Sequence, residues 1–405
     1  MTPNDLVART EPGEPVDELP PPGLDAVAFS SQRRGLWGSG EALRIELPAP
    51  WPDHVDRVAE ALASIPHDGP AGPGRGPIAF GALPYEREAP ATLVVPAHLH
   101  GRTSDGDRWT TRISGDDVPT IERTAHDVAP RDHPATVVLD GGDVEGWVGA
   151  VAQAVGRIRS GELTKVVLAR QITVTASAGF DAPTLLRRLR QASPTSFAYS
   201  VDGFVGATPE LLVSRIGDVV RAQPMAGTLP RSGDPDADAR RAGELLGSAK
   251  NRAEHQITID VVHDTLLPWC SYLDAEPEPS VVPAGPVQHL ATLVEGRLSQ
   301  PEPSALDLVA ALHPTPAVGG WPRDAALALQ AELEGVDRDR YAGPVGWVDA
   351  AGNGVFGVGI RGAQLDGTVA RVFAGVGVVA GSDPVAELEE TKAKAQAVLS
   401  ALTRV

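Results

Sequence analysis

The 405-residue chain has a single cysteine, Cys270, so it can form no internal disulfide and no cysteine cluster for zinc or iron-sulfur. No run of 18 apolar residues occurs, and the first thirty residues lack a basic start followed by an apolar stretch. Neither a membrane span nor a signal peptide is therefore expected, and the expected compartment is the cytoplasm. Basic residues are also short: 35 Lys and Arg against 53 Asp and Glu leave a formal net charge of -18. That deficit argues against nucleic acid as a partner and opposes long-range capture of an anion, which would need local cations or a bound metal. No internal repeat is present. What remains, with 42% apolar content, is a globular chain long enough to bury a large core.

Met1 to Asp25, rich in Pro, Glu and Asp, reads as a flexible acidic tail. Residues 26–405 read as one domain, with its catalytic core from about residue 143. A helix capped by Asp143 and stopped at Gly161 leads into the β-branched strand from Lys165 to Thr175. Asp181 and Pro183 open another helix, and Phe197–Val201 and Phe204–Ala207 read as strands around Asp202-Gly203. The longest helical pattern runs from Ala237 to Leu267 and places Lys250 and Glu254 four apart on one face. His289 to Leu298 is strand-like; Ala305–Leu312 and Ala325–Leu333 are helical around the loop His313 to Gly320; and Ala351-Gly352-Asn353-Gly354 turns a hairpin. Hairpins with inserted helices indicate an α+β protein.

Chemistry concentrates near the C-terminus, where a strand-like run reaches Gly375-Val376-Gly377 and a helix bears Glu387, Glu390 and Lys394 at i, i+3 and i+7. The glycines fit a dinucleotide fingerprint only if a second strand with an acidic ribose ligand follows, and the sequence stops at Val405. The glycines are therefore expected to serve close approach to another anionic ligand. Lys165 is an ordinary strand-end lysine unless another cation in a dry cleft frees its amine to act as a base. Glu210, between Pro209 and two leucines, is either an exposed turn acid or a proton donor with a raised pKa. Glu254, Glu387 and Glu390 are helix-face acids or oxygen ligands for magnesium, which takes one or two protein carboxylates. His289 and His313 read as hydrogen-bonded structural or pocket residues.

Ordered together, these segments resemble the chorismate-utilising enzymes, which include isochorismate synthases, salicylate synthases and the large subunits of anthranilate and aminodeoxychorismate synthases. The blocks are Lys165 to Arg170; Gly206 to Leu212; Pro224-Met225-Ala226-Gly227-Thr228; Lys250 to His255; His313 to Gly320; Tyr341 to Gly346; Arg361; Gly375 to Gly377; and Glu387 to Lys394, with Ala79 to Pro84 a weaker upstream match. The resemblance implies two large, mainly antiparallel β-sheets packed together with flanking helices. Lys165 matches the lysine of members that add water; Ala226 stands where aminodeoxychorismate synthases carry a covalent lysine; and Ala317 stands where salicylate synthases carry threonine. The implied activity is an isochorismate synthase. By this resemblance Lys165 would activate water and Glu210 would protonate the leaving hydroxyl. It likewise implies that Glu254 and Glu390, supported by Glu387, hold Mg2+, while Gly227, Thr228, Ala317, Tyr341, Arg361, Gly375, Gly377 and Lys394 line the substrate. The resemblance further implies a monomer with no glutaminase subunit, serving siderophore or menaquinone biosynthesis. The alternatives are a salicylate synthase with pyruvate-lyase activity and, more remotely, a non-catalytic metal-dependent binder of a dicarboxylate.

Overall fold

A computed structural model describes residues 5–13, 26–31, 34–115 and 136–403. Most of its strands belong to a hydrogen-bonded network with two broad arms. One arm runs from Lys165–Ala176 through Val369–Val378, Gly362–Asp366, Phe204–Thr208, Phe197–Val201 and Val27–Ser30 to Gly35–Leu47. The other runs from Ile78–Ala82 through Pro344–Asp349, Gly354–Val358, Leu211–Ile216 and Val219–Gln223 to Val294–Leu298 and the edge strand Cys270–Ala275. The long strand Ala91–Arg102 bonds to both Gly35–Leu47 and Ile78–Ala82 and so joins the arms. All these pairings are antiparallel.

The arms pack face to face because each offers an apolar side. Phe29, Tyr199 and Phe204 of one meet Phe80, Val345, Trp347 and Val355 of the other. A second core joins Ala169 and Phe373 to Val213, Phe356 and the helix Ala305–Leu312. The expected pair of packed sheets with outer helices is present, with hydrogen bonds joining the two. A small separate sheet, Met225–Pro230, Val287–Ala291 and Ser280–Ala284, stands beside them and carries Gly227 and Thr228.

Several local readings hold. Asp143 accepts from the Gly146 amide at 2.8 Å and starts the helix Val144–Arg159. Gly161 beyond its end has φ +86, a conformation that glycine enters without a steric cost. Other readings fail. The segment taken as a tail contains a strand, Val7–Pro12, paired with Arg108–Ser114 and with Leu6 and Ala8 fully buried. Two alternate apolar positions were enough to anchor it, despite the acidic composition around them. Residues 14–25 of that stretch lie outside the described residues. The long pattern from Ala237 to Leu267 is two helices, Pro235–Gly247 and Ala249–Leu266, because Ser248 adopts an extended backbone and caps the second by accepting from Asn251. The stretch His289 to Leu298 is divided between two sheets at Thr292. Among the described residues, no helix is long and apolar enough to cross a membrane.

Candidate active site

A cavity of about 220 Å3 is lined by the strands Lys165–Ala176 and Val369–Val378, the small sheet and two helices, and every residue singled out in the sequence as a site residue lines it. Lys165 begins its strand with its side chain 1% exposed, and its amine lies 2.9 Å from Glu254 on the helix Ala249–Leu266. The neighbour anticipated for this lysine was a cation; the ion-pair partner found is a carboxylate. Glu254 in turn does not pair with Lys250, its helix-face neighbour. Lys250 instead reaches Glu387 on the C-terminal helix Pro384–Thr403, at 3.7 Å.

Glu210 occupies the corner between Phe204–Thr208 and Leu211–Ile216, where its amide donates to Thr208 Oγ1 and its carbonyl accepts from Val358. Its carboxyl is buried. Burial raises its pKa to about 7, against the opposing pull of the Met225 amide and of the Lys165 and Lys394 charges. The carboxyl is thus poised to hold a proton near neutrality, and it shares one cavity with Lys165.

The C-terminal helix presents Glu387, Glu390 and Lys394 to the cavity, as their spacing requires. Lys394 Nζ bridges Glu390 at 2.7 Å and the Gly375 carbonyl at 2.9 Å. Arg361, half-buried at φ +57, donates to the Lys394 carbonyl at 3.0 Å and to His289 Nε2 at 3.1 Å. Burial lowers its pKa to about 10, partly offset by Tyr341 and Glu390. A non-glycine residue at positive φ stores strain, which the surrounding contacts at this site must offset. His289 Nδ1 lies 3.1 Å from Thr228 Oγ1 and 3.3 Å from the Gly227 carbonyl, so a neutral ring protonated at Nδ1 satisfies the whole chain. Burial and the charges of Arg361 and Lys394 hold its pKa well below the usual histidine value. His289 is therefore a hydrogen-bonded pocket residue, whereas His313, outside the cavity lining, is buried and bonded to the Tyr85 carbonyl.

The glycines make room. Gly375 and Gly377 lie inside the strand Val369–Val378. A Cβ on Gly377 would sit 2.4 Å from Glu254 Oε1 and 3.0 Å from Lys165 Cε, so the Lys165–Glu254 pair exists only beside a glycine. On Gly375 it would press on the Tyr341 hydroxyl at 3.1 Å. Tyr341 stacks on Phe373 at 5.2 Å, and burial pushes its phenol up to about 12, so it stays a neutral donor. Phe373 and Asn251 are wall residues that the motifs did not single out; only their adjacency to Gly375 and to Lys250 hinted at them.

The cavity is lined by four acids, Glu210, Glu254, Glu387 and Glu390, and four cations, Lys165, Lys250, Arg361 and Lys394. With Glu210 protonated, positive charge exceeds negative there, although the chain as a whole carries -18. The field suits an anion. Glu254, Glu387 and Glu390 share the cavity, and Glu387 is buried with its pKa raised by burial and by repulsion from Glu390. Acids forced together in this way favour a cation, and an all-oxygen donor set fits a hard one such as magnesium. Among the described residues, no three such side chains form a closed metal-holding cluster.

The family model "Chorismate binding enzyme" matches residues 83–403. A putative isochorismate synthase MenF from Mycobacterium tuberculosis is 43% identical over 348 residues, covering 81% of this chain and 87% of its own length. Isochorismate synthase DhbC from Bacillus subtilis is 37% identical, covering 85% of each chain. The crystal structure of a putative 2,3-dihydroxybenzoate-specific isochorismate synthase, DhbC from Bacillus anthracis, is 34% identical with a TM-score of 0.79, covering 94% of this chain and 97% of the other.

Proposed function

We infer from the chorismate-binding enzyme family, to which this chain belongs, that it is an isochorismate synthase, an isomerase that replaces the C4 hydroxyl of chorismate with a hydroxyl at C2. The observation that carries the mechanism is Lys165 and Glu210 facing one cavity, the first with an amine for water and the second with a proton to give.

Chorismate is a cyclic dianion. Arg361 and Lys394 supply charge for its carboxylates, with Tyr341 and the backbone around Gly227, Thr228, Gly375 and Gly377 fixing the ring between them. Ala317 and Val318 close the wall near Lys165. In this reading, Lys165 accepts a proton from water as the oxygen bonds to C2, the double bonds shift, and Glu210 gives its proton to the hydroxyl leaving C4. Atoms balance: one water enters and one leaves. Glu254 and Glu390, with Glu387, would hold magnesium, whose bound charge would offset a substrate carboxylate. Engaging Glu254 in that way would also draw it from Lys165.

With water as the nucleophile, no ammonia-producing partner is needed, and a cytoplasmic monomer suffices. An isochorismate product fits a supply role for a siderophore or menaquinone route. Incubation with chorismate and magnesium should yield isochorismate. Salicylate and pyruvate as main products would replace this reading with a salicylate synthase.

A further inference from the structure

The strand carrying Lys165 has a gap along one edge. Opposite Val369–Val378 it is fully paired. On its other edge, Lys165 and Val166 face Trp321 and Gly320, and Thr173 to Ala176 face Val137–Asp140. Between those two short pairings the Val167 amide still donates to the Gly319 carbonyl at 2.9 Å, but the buried backbone groups beyond it need other partners. Side chains supply them. The Val167 carbonyl accepts from Gln330 Nε2 at 2.7 Å and Arg338 Nη2 at 2.8 Å; the Ala169 amide donates to Glu334 Oε1 at 2.8 Å; and the Ala169 carbonyl accepts from Trp147 Nε1 at 3.1 Å.

The same side chains hold the adjoining segment, whose Ala317 and Val318 line the cavity. Gln330 Nε2 donates to the Gly319 carbonyl at 2.7 Å and Arg338 Nη1 to the Val318 carbonyl at 2.8 Å. Arg338 forks onto Glu334, its guanidinium lies 4.4 Å over the Tyr85 ring, and the Tyr85 hydroxyl fixes the Gln330 amide at 2.8 Å. Gln330 and Arg338 are almost wholly buried, and none of Gln330, Glu334, Arg338 and Tyr85 lines the cavity.

A buried ion pair is weak evidence for stability, since apolar replacements often serve as well, so this knot calls for another reason. We propose that Gln330, Glu334 and Arg338 are positioning residues that set the distance between Lys165 and the Ala317–Val318 wall, and so hold the amine in line with the water it activates. The proposal rests on the reading of Lys165 as the base. The residues that anchor substrate carboxylates, Arg361 and Lys394, belong to other elements and make no bond to the knot. Disturbing the knot should therefore lower kcat and leave KM nearly unchanged.

Two variants test this. Gln330→Met removes the shared donor with little change of volume, and Tyr85→Phe removes only the hydroxyl that orients Gln330. Steady-state kinetics with chorismate, normalised to folded protein, should show kcat down about 10- to 100-fold for Gln330→Met and about 2- to 5-fold for Tyr85→Phe, with KM within about threefold of wild type. Wild-type kcat per folded molecule in both, or a rise in KM matching the fall in kcat/KM, overturns the proposal. Failure of wild type itself to form isochorismate would instead reject the reading beneath it.

Discussion

The chain upstream of residue 143 and the chain downstream of it contribute to the same core but not to the same cavity. Leu47, Trp51, Leu93 and Phe80 are as buried as anything in the molecule, and Gly35–Leu47, Ala91–Arg102 and Ile78–Ala82 join the two sheets. Yet every cavity-lining residue falls between Lys165 and Lys394. Among the described residues, the upstream part supports the site from behind, with Tyr85 bonded to Gln330 and to the Val318 carbonyl. Burial can be met by many apolar sequences, whereas proton transfer to a bound dianion is met by few side chains at fixed distances.

That contrast is sharpest for Lys165→Ala against Leu93→Ala. The first should reduce turnover by about 10²- to 10⁴-fold with folding intact. The second should cost about 2–5 kcal/mol of stability and leave kcat per folded molecule unchanged, as thermal denaturation and rate assays together would show. If Leu93→Ala lowered intrinsic kcat as deeply, the division of labour would not exist.

A smaller effect compares two crowded glycines. In Gly377→Ala the new methyl meets Glu254 and Lys165, so kcat should fall about 10- to 100-fold. In Gly101→Ala it meets the Trp109 ring at 2.1 Å, far from the cavity, so the loss should appear in Tm alone.

Glu210→Gln gives a pH-dependent change in stability of unusual sign. The folded carboxyl titrates near 7 against an ordinary 4.5, so between those pH values the folded state binds more protons than the unfolded one. Wild-type stability must therefore decline as pH rises through that window, by about 3 kcal/mol at most, a loss the glutamine variant escapes. Its Tm advantage should grow from pH 5 to pH 8 while its turnover collapses. A Tm difference independent of pH would mean that Glu210 ionises normally and could not serve as the acid.

The same division explains what the sequence could tell. Lys165, Glu210 and the Glu387–Glu390–Lys394 face were legible because helix periodicity and ordered motif blocks carry residue identity directly. Partnerships were not. Lys250 and Glu254 looked like neighbours on one helix, but each pairs across the cavity with another element, and only tertiary packing decides that. The break at Ser248 was missed because a serine inside a periodic apolar pattern gives no sign that it caps a new helix. The strand Val7–Pro12 was hidden by acidic, proline-rich surroundings, since two buried side chains leave little trace in composition.

The central claim, that Lys165 activates water for attack at C2 as Glu210 releases the C4 hydroxyl, is tested most directly by turnover of chorismate in 18O-labelled water with magnesium. The account predicts that newly formed isochorismate carries one solvent oxygen, at C2, and that neither Lys165→Ala nor Glu210→Gln forms labelled product while both still bind chorismate. Isochorismate that retains the original hydroxyl oxygen, or full labelling by either variant, would contradict it.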